Sequence, residues 1–490
     1  MRIRIAIFLF FLASLAYAQP TITVGQTFLT SGLDPAEGSA GWALVSHGVA
    51  EKLFSVNREG RVVPQLAQRL ERNSATAWKI SLQPGRKFSD GSPVNAVAVA
   101  AALNRNVEKN AAARATVGSI VFTAQDELTL TAVVERPTLA FDAVLAEWAF
   151  VVYRITDANA PQNIAFSGPY KPVDFKTGAR LELQPNTHFP SPPKTSATIV
   201  RFADSQALAL AFRGGELDLA FNLPSESLPS LQADATKSVK TFPVAYQYML
   251  WQNTRRAPLQ DERVRKAIAL AIERTDLSRA IRAGQATASI WAAPSTFTGV
   301  AAGKANRERA RQLLDEAGWK AGTNGMRSKD GSMLKLSLWA YPQRPDLVTM
   351  QPVLRAALAE VGIAVETRIA EQAQTLAKNA EFDLLLWAQH TAPSGDPAFF
   401  PALFLGSQSA NNFAGFSDPA MDRLIARMQG AQLSSERTAI AKEMDSRIGD
   451  TAQVIFLVTP EWHVGLSRRI AAYEPWGSDY FIVRGDMGLR

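Results

Sequence analysis

No cysteine occurs anywhere in the 490 residues. That absence removes disulfide staples, thiolate metal sites, cysteine nucleophiles and the lipid-modified cysteine that tethers many secreted proteins to a membrane. Histidine is almost as scarce: His47, His188, His390 and His463 are the whole supply. With HExxH and other closely spaced ligand pairs missing, the chain cannot wrap a bare transition metal in its own side chains. There is no G-x-S-x-G elbow, no Gly-rich phosphate cradle and no carboxylate pair at a recognisable spacing, so catalysis has little support. Glu216, Asp218 and Asp383 fall at expected strand edges or helix ends, where solvation or capping is the default. Charge of one sign is lacking too, with 52 Lys+Arg against 45 Asp+Glu. The basic residues form no stripe with interleaved aromatics, which argues against nucleic acid as a partner.

What is present begins with an address. Met1 to Ala18 carries Arg2 and Arg4, an apolar run Ile5–Leu12 and an Ala16-Tyr17-Ala18 end, the pattern of a cleavable secretory signal. The run is shorter than the roughly 20 residues of a spanning helix, and no later stretch is longer, so a soluble periplasmic protein is expected. Removing both arginines takes the net charge from +7 to +5. The remaining chain is too long for one core by the usual domain-size relation, and two lobes are expected.

The stretch Ser46–Leu103 sets the pattern for the rest. A short helix places Ala43, His47, Ala50 and Phe54 on one side. A turn at Asn57–Gly60 and a helical piece ending near Leu70 follow, then the alternating strand WKISLQ, the turn FSDGSPV and an Ala-rich helix. TITVGQ and DELTLTAVVE are further strands, and ALALAFRGGELDLAF is a helix feeding a strand. After the extended apolar connection VAYQYMLWQNT come helices over 261–283 and 307–317, strand 334–340, helix 347–361, strand 364–369, helix 372–379 and strand 382–388. That alternation is a βαβαβ unit with a parallel sheet.

Several phrases carry a family resemblance: VPQLAQRLE, W-x-I-x-L-x-P-G-x-K-F-S-D-G-x-P-V, Phe166-Ser167-Gly168-Pro169-Tyr170, A-x-x-x-G-E-x-D around Gly215, Glu216 and Asp218, and A-x-x-L-L-x-E-A-G-W at Ala310–Trp319. In this order they resemble the extracytoplasmic solute-binding proteins of the peptide, opine and nickel transporter family. The resemblance covers essentially the whole mature chain. It implies an α/β two-lobe periplasmic binding fold, class II in its large form with an extra subdomain, and a ligand cleft between the lobes. The expected division is lobe I over 19–243 plus 461–490, with an inserted subdomain at about 55–185, and lobe II over 244–460. Crossings near Val244 and Thr459 would serve as the hinge. The implied activity is capture of a small-molecule ligand for the permease subunits of an ABC importer, by a monomer and without enzymatic turnover.

Ligands gather beyond the carboxyl ends of parallel strands. That rule selects Tyr341 and Arg344 after strand 334–340, and His390 after strand 382–388. Asn411 and Asn412, in a segment resembling the family's N-x-x-x-Y/F, are ligand candidates with an Asx turn as the alternative. Trp42 belongs to S-G-W-A-L-V-S-H-G-V-A-E, which with L-W-A-Q-H-T-A-P-x-G-D-P-A-F-F looks most like the branch for nickel and metal-chelate uptake. No permanently bound cofactor is implied. Nickel would arrive as a chelate complex with one imidazole completing its sphere, His390 first and His47 second. His188 is expected to be solvated and His463 to tune hinge packing. The pattern departs from the nickel branch in the loop after the last strand, where Thr391 and Gly395 stand in place of aromatics. A short peptide or opine is therefore the alternative cargo, and a periplasmic peptidase or a sensor-coupled binding module is the rival class.

Overall fold

The computed structural model describes residues 20–488, apart from 59, 116, 139, 158–162, 293–296, 298–300, 410 and 432. The expected signal, residues 1–18, lies outside them. Two large sheets organise the chain into two lobes. The first has seven strands, in the order Tyr170–Lys176, Arg180–Pro185, Ser196–Arg201, Thr21–Gln26, Leu219–Phe221, Glu461–Ser467 and Lys237–Pro243. Its strand Thr21–Gln26 pairs in parallel with both neighbours. The second has six, in the order Gln285–Ala286, Val454–Thr459, Tyr246–Gln252, Leu384–His390, Lys335–Ala340 and Ala364–Ile369. Lys335–Ala340 runs parallel to Ala364–Ile369 and to Leu384–His390, which is the expected βαβαβ unit.

A four-stranded antiparallel sheet, Ala67–Arg72, Ala77–Leu82, Thr129–Val134 and Ile120–Ala124, is separate from both large sheets. The helix Ala96–Lys109 covers it, started by the Asn95 side chain accepting from the Ala98 N–H at 2.9 Å. Trp78, Ile80, Leu103, Phe122 and Phe141 fill a core separate from that of the large sheets.

Several local expectations change. The helical piece ending near Leu70 is the strand Ala67–Arg72, because Ala77–Leu82 offers it an antiparallel ladder that a lone amphipathic turn cannot match. The helix over 261–283 is two, Glu262–Ala271 and Arg274–Ala280, with the Glu273 carboxylate capping the second. The connection VAYQYMLWQNT is an interior strand of the six-stranded sheet. All seven residues of Tyr246–Gln252 are buried between Leu384–His390 and Val454–Thr459. Such continuous apolarity marks a strand covered on both faces.

The chain passes between the large sheets twice, at Val244-Ala245 and at Pro460. Just past these points Trp462 Nε1 donates to Tyr248 Oη at 2.7 Å, and Tyr248 Oη donates to Asp346 Oδ2 at 2.7 Å. Both crossing strands are thereby tied to the helix Pro345–Ala359.

The helix expected to carry His47 covers only Ala40–Ser46, and His47 follows as its C-cap. Gly48 stops it at φ +67°, where a Cβ would sit 2.6 Å from the Val483 carbonyl oxygen. The chain then enters the short strands Glu51–Lys52 and Phe54–Val56 instead of continuing a helical face to Phe54. Gly48→Ala combines left-handed backbone strain with a backbone clash. We expect a loss of at least about 2 kcal/mol, measured as a lower midpoint in urea; an unchanged midpoint would show that this turn is not constrained.

A cleft between the lobes as the candidate functional site

Between the lobes lies a cavity of about 810 Å³, within the range of small-molecule sites. Its walls are aromatic: Phe28, Trp42, Trp148, Tyr246, Tyr341, Trp387, Phe404 and Tyr480 all contribute. Phe28 stacks on Trp42 with centroids 4.7 Å apart, and Tyr341 meets Trp387 at 5.4 Å. The polar part of the wall includes Gln343, Gln372, Gln389 and Asn411, and exposed Lys109, Glu371 and Lys378 stand at the rim.

Arg344 lines this cavity, as the strand-end rule requires, yet its guanidinium is already engaged. Its side chain is 8% exposed and pairs at 2.6 Å with Asp479, which is fully buried. The guanidinium carbon lies 4.9 Å from the Trp462 ring centroid, 5.3 Å from Tyr246 and 5.8 Å from Phe28. Burial is the largest influence and works against its charge, but the Asp479 carboxylate together with the hydroxyls of Tyr246, Tyr341 and Tyr248 outweighs it and holds its pKa above the ordinary arginine value. Two residues on, burial pushes the Asp346 carboxyl up to about 7.

Trp42, Tyr341, Arg344 and Asn411 thus meet in one cavity. Tyr341 Oη accepts from the Ala388 N–H at 3.1 Å, which fixes the ring at the mouth of the strand. Asn412 does not join them. Its amide donates to the Phe416 carbonyl at 2.8 Å and its Oδ1 accepts from the Gly415 N–H at 3.0 Å, so it forms the turn that was its alternative role.

The two histidines expected at a metal are placed elsewhere. The strand runs on through His390, opposite Tyr246, and the His390 ring packs at 5.3 Å on Tyr246 and 5.8 Å on Tyr480, outside the cavity lining. His47 is fully buried behind Phe28, with centroids 6.0 Å apart, and neither ring nitrogen has a hydrogen-bond partner among the described residues. Desolvation lowers both imidazoles to about pKa 3, so both are neutral. Among the described residues no group of three or more His, Asp or Glu side chains could hold a metal ion. Of the other two, His463 Nδ1 lies 2.8 Å from Thr241 Oγ1 in the strand after Pro460.

Sequence reasoning missed Phe28, Trp148, Tyr246, Trp387, Tyr480 and Asp479. Phe28 was within reach: it follows the carboxyl end of the parallel strand Thr21–Gln26, the position that singled out Arg344 in the other sheet. Tyr480 and Asp479 carry no such signal, because only the return of the C-terminal stretch onto the helix Ala40–Ser46 brings them to the cleft.

Residues 61–412 match the model for bacterial extracellular solute-binding proteins, family 5 Middle. The probable di/tripeptide-binding protein 5 of Pseudomonas aeruginosa is 29% identical over 334 residues, 64% of this chain and 60% of that protein. The periplasmic murein peptide-binding protein MppA of Escherichia coli is 24% identical over 461 residues, covering 85% and 82%. NikA from Staphylococcus aureus, in complex with Ni(L-His)2, superposes with a TM-score of 0.87 at 19% identity, over 96% of this chain and 100% of that one. At that identity the likeness is one of fold.

The buried rings have a consequence for acid stability. Each is neutral when folded and takes up a proton when unfolded, so stability falls as pH drops from 6.5 towards 3. Replacing either, as His47→Phe or His390→Phe, should remove about 1.4 kcal/mol per pH unit from that slope. Urea unfolding at several pH values between 4 and 7 measures it, and a slope equal to wild type would place the rings in contact with water.

Proposed function

Because the chain belongs to the bacterial extracellular solute-binding proteins of family 5, which bind small ligands and work with ABC permeases, we propose that it captures a short zwitterionic peptide or a similar amino-acid derivative. The lobes close over the ligand by bending at Val244-Ala245 and Pro460. The observation that carries this reading is the charge balance of the cavity. Its inner guanidinium is neutralised by Asp479, while Lys109, Lys378 and Glu371 offer both signs at the rim. A ligand with both an amino and a carboxyl end matches that wall, and its side chains meet aromatic surface. The curated relatives, named for di/tripeptides and for murein peptide, support the same class.

A nickel chelate is the second reading, favoured by the cationic rim residues that would suit a chelator's carboxylates. In it every metal donor comes from the chelator, since among the described residues no imidazole lines the cavity. The importer's permease would be the partner, and the expected N-terminal signal would deliver the protein to it. Among the described residues no helix is long and apolar enough to cross a membrane.

Calorimetry separates the two readings. Trialanine should bind in the presence of EDTA, and nickel with free histidine should bind more weakly by tenfold or more, ~1.4 kcal/mol. Nickel-dependent binding with no response to peptide would overturn the first reading.

A further inference from the structure

Asp479 is a meeting point of both lobes. Its Oδ1 accepts from Tyr246 Oη at 2.6 Å and from Trp42 Nε1 at 3.3 Å, and its Oδ2 accepts from Arg344 at 2.6 Å. These donors come from three places. Trp42 is on the helix Ala40–Ser46 against which Asp479–Phe481 packs; Tyr246 opens the strand after the first crossing; and Arg344 precedes the helix Pro345–Ala359 of the second lobe. All three donors line the cavity. The Arg344 guanidinium therefore reaches out of its own lobe, to a carboxylate and to the rings of Phe28 and Trp462 on the other side. The neighbouring backbone follows it, since Thr27 Oγ1 donates to the Gln343 carbonyl at 3.0 Å.

We propose that Arg344 and Asp479 form a clasp across the cleft, which holds the closed arrangement of the ligand walls and sets the site against ligands of net negative charge. The physical basis is the sharing of one cation. A ligand carboxylate laid on Arg344 would compete with a buried carboxylate already bound there, and two like charges on one guanidinium in a desolvated site repel strongly. A ligand of zero net charge meets no such repulsion. Lys109 and Lys378 cannot reverse the balance, because they stand in water at the rim, where screening weakens them. Arg344 is thus spent on closure, and Asp479 acts as a positioning residue for Trp42 and Tyr246. The charge preference rests on the peptide reading; the clasp does not.

The experiment has two arms. Ligand is stripped by unfolding and refolding, and small-angle scattering compares wild type with Asp479→Asn, Arg344→Gln and the double variant, which leaves neither charge buried alone. We expect a larger radius of gyration in each variant than in wild type, and no further increase in the double variant. Equal radii in wild type and the double variant would overturn the clasp, even if a single variant failed to fold. The second arm measures trialanine and N-acetyl-trialanine, which differ by the charge of the amino group. Wild type should prefer trialanine, and Asp479→Asn should narrow that preference by about tenfold or more, ~1.4 kcal/mol. An unchanged ratio would overturn the charge rule. Binding of neither peptide by wild type would overturn the peptide reading and the charge rule built on it, while scattering still decides the clasp.

Discussion

A charge enclosed between two lobes has to be matched there, and the pair of Arg344 with Asp479 meets that demand at the point where the ligand cavity begins. Removing one partner would leave the other buried and unpaired, a cost well above the net worth of the pair itself. Asp479 also accepts from Trp42 and Tyr246, so in the proposed clasp the closed arrangement and the placement of both rings rest on the pair. A second seam lies further along the cleft, where Ser394 Oγ donates to Glu147 Oε1 at 2.6 Å. Beside it Gly395, at φ +72°, comes so close to Gly60 that a Cβ would lie 2.6 Å from that residue's carbonyl oxygen.

The two crossings show how such seams would act in concert under the proposed closure. Tyr246–Gln252 and Glu461–Ser467 are strands of different sheets that leave the two crossings, and Tyr248, Trp462 and Asp346 join them in one hydrogen-bonded chain. Asp346 begins in the first turn of the same helix that Arg344 precedes. In the proposed closure, bending at Val244-Ala245 and Pro460 would carry Arg344 as part of a rigid element, and hinge motion of this kind needs dihedral changes at only a few residues. The raised Asp346 carboxyl belongs to that rigid part; it is buried and bonded to a single hydroxyl.

Aromatic residues dominate the cavity for a related reason. If the site opens and closes as proposed, its walls meet water in one state and are dried in the other. Rings with few torsions lose little conformational entropy on closing while burying a large area. Phe28, Trp42, Trp148, Tyr341 and Trp387 are supplied by both lobes, so no lobe holds a finished site alone. The imidazoles lie deeper, behind Phe28 and against Tyr246 and Tyr480, where desolvation keeps them uncharged.

Period and order along the chain determined the βαβαβ unit and the positions of Tyr341 and Arg344, since strand alternation and the strand-end rule are local properties that a sequence displays directly; the family came from the resemblance of its ordered motifs. The same local reasoning made Ala67–Arg72 helical and extended the Ala40–Ser46 helix past Gly48, because the ladder partner and the Val483 carbonyl that decide those points lie elsewhere in the chain. It also sent His390 to the ligand and left out Asp479. Those outcomes belong to tertiary structure alone: burial of a ring, and the pairing of side chains 135 residues apart, follow from which surfaces meet when the C-terminal stretch returns to the cleft.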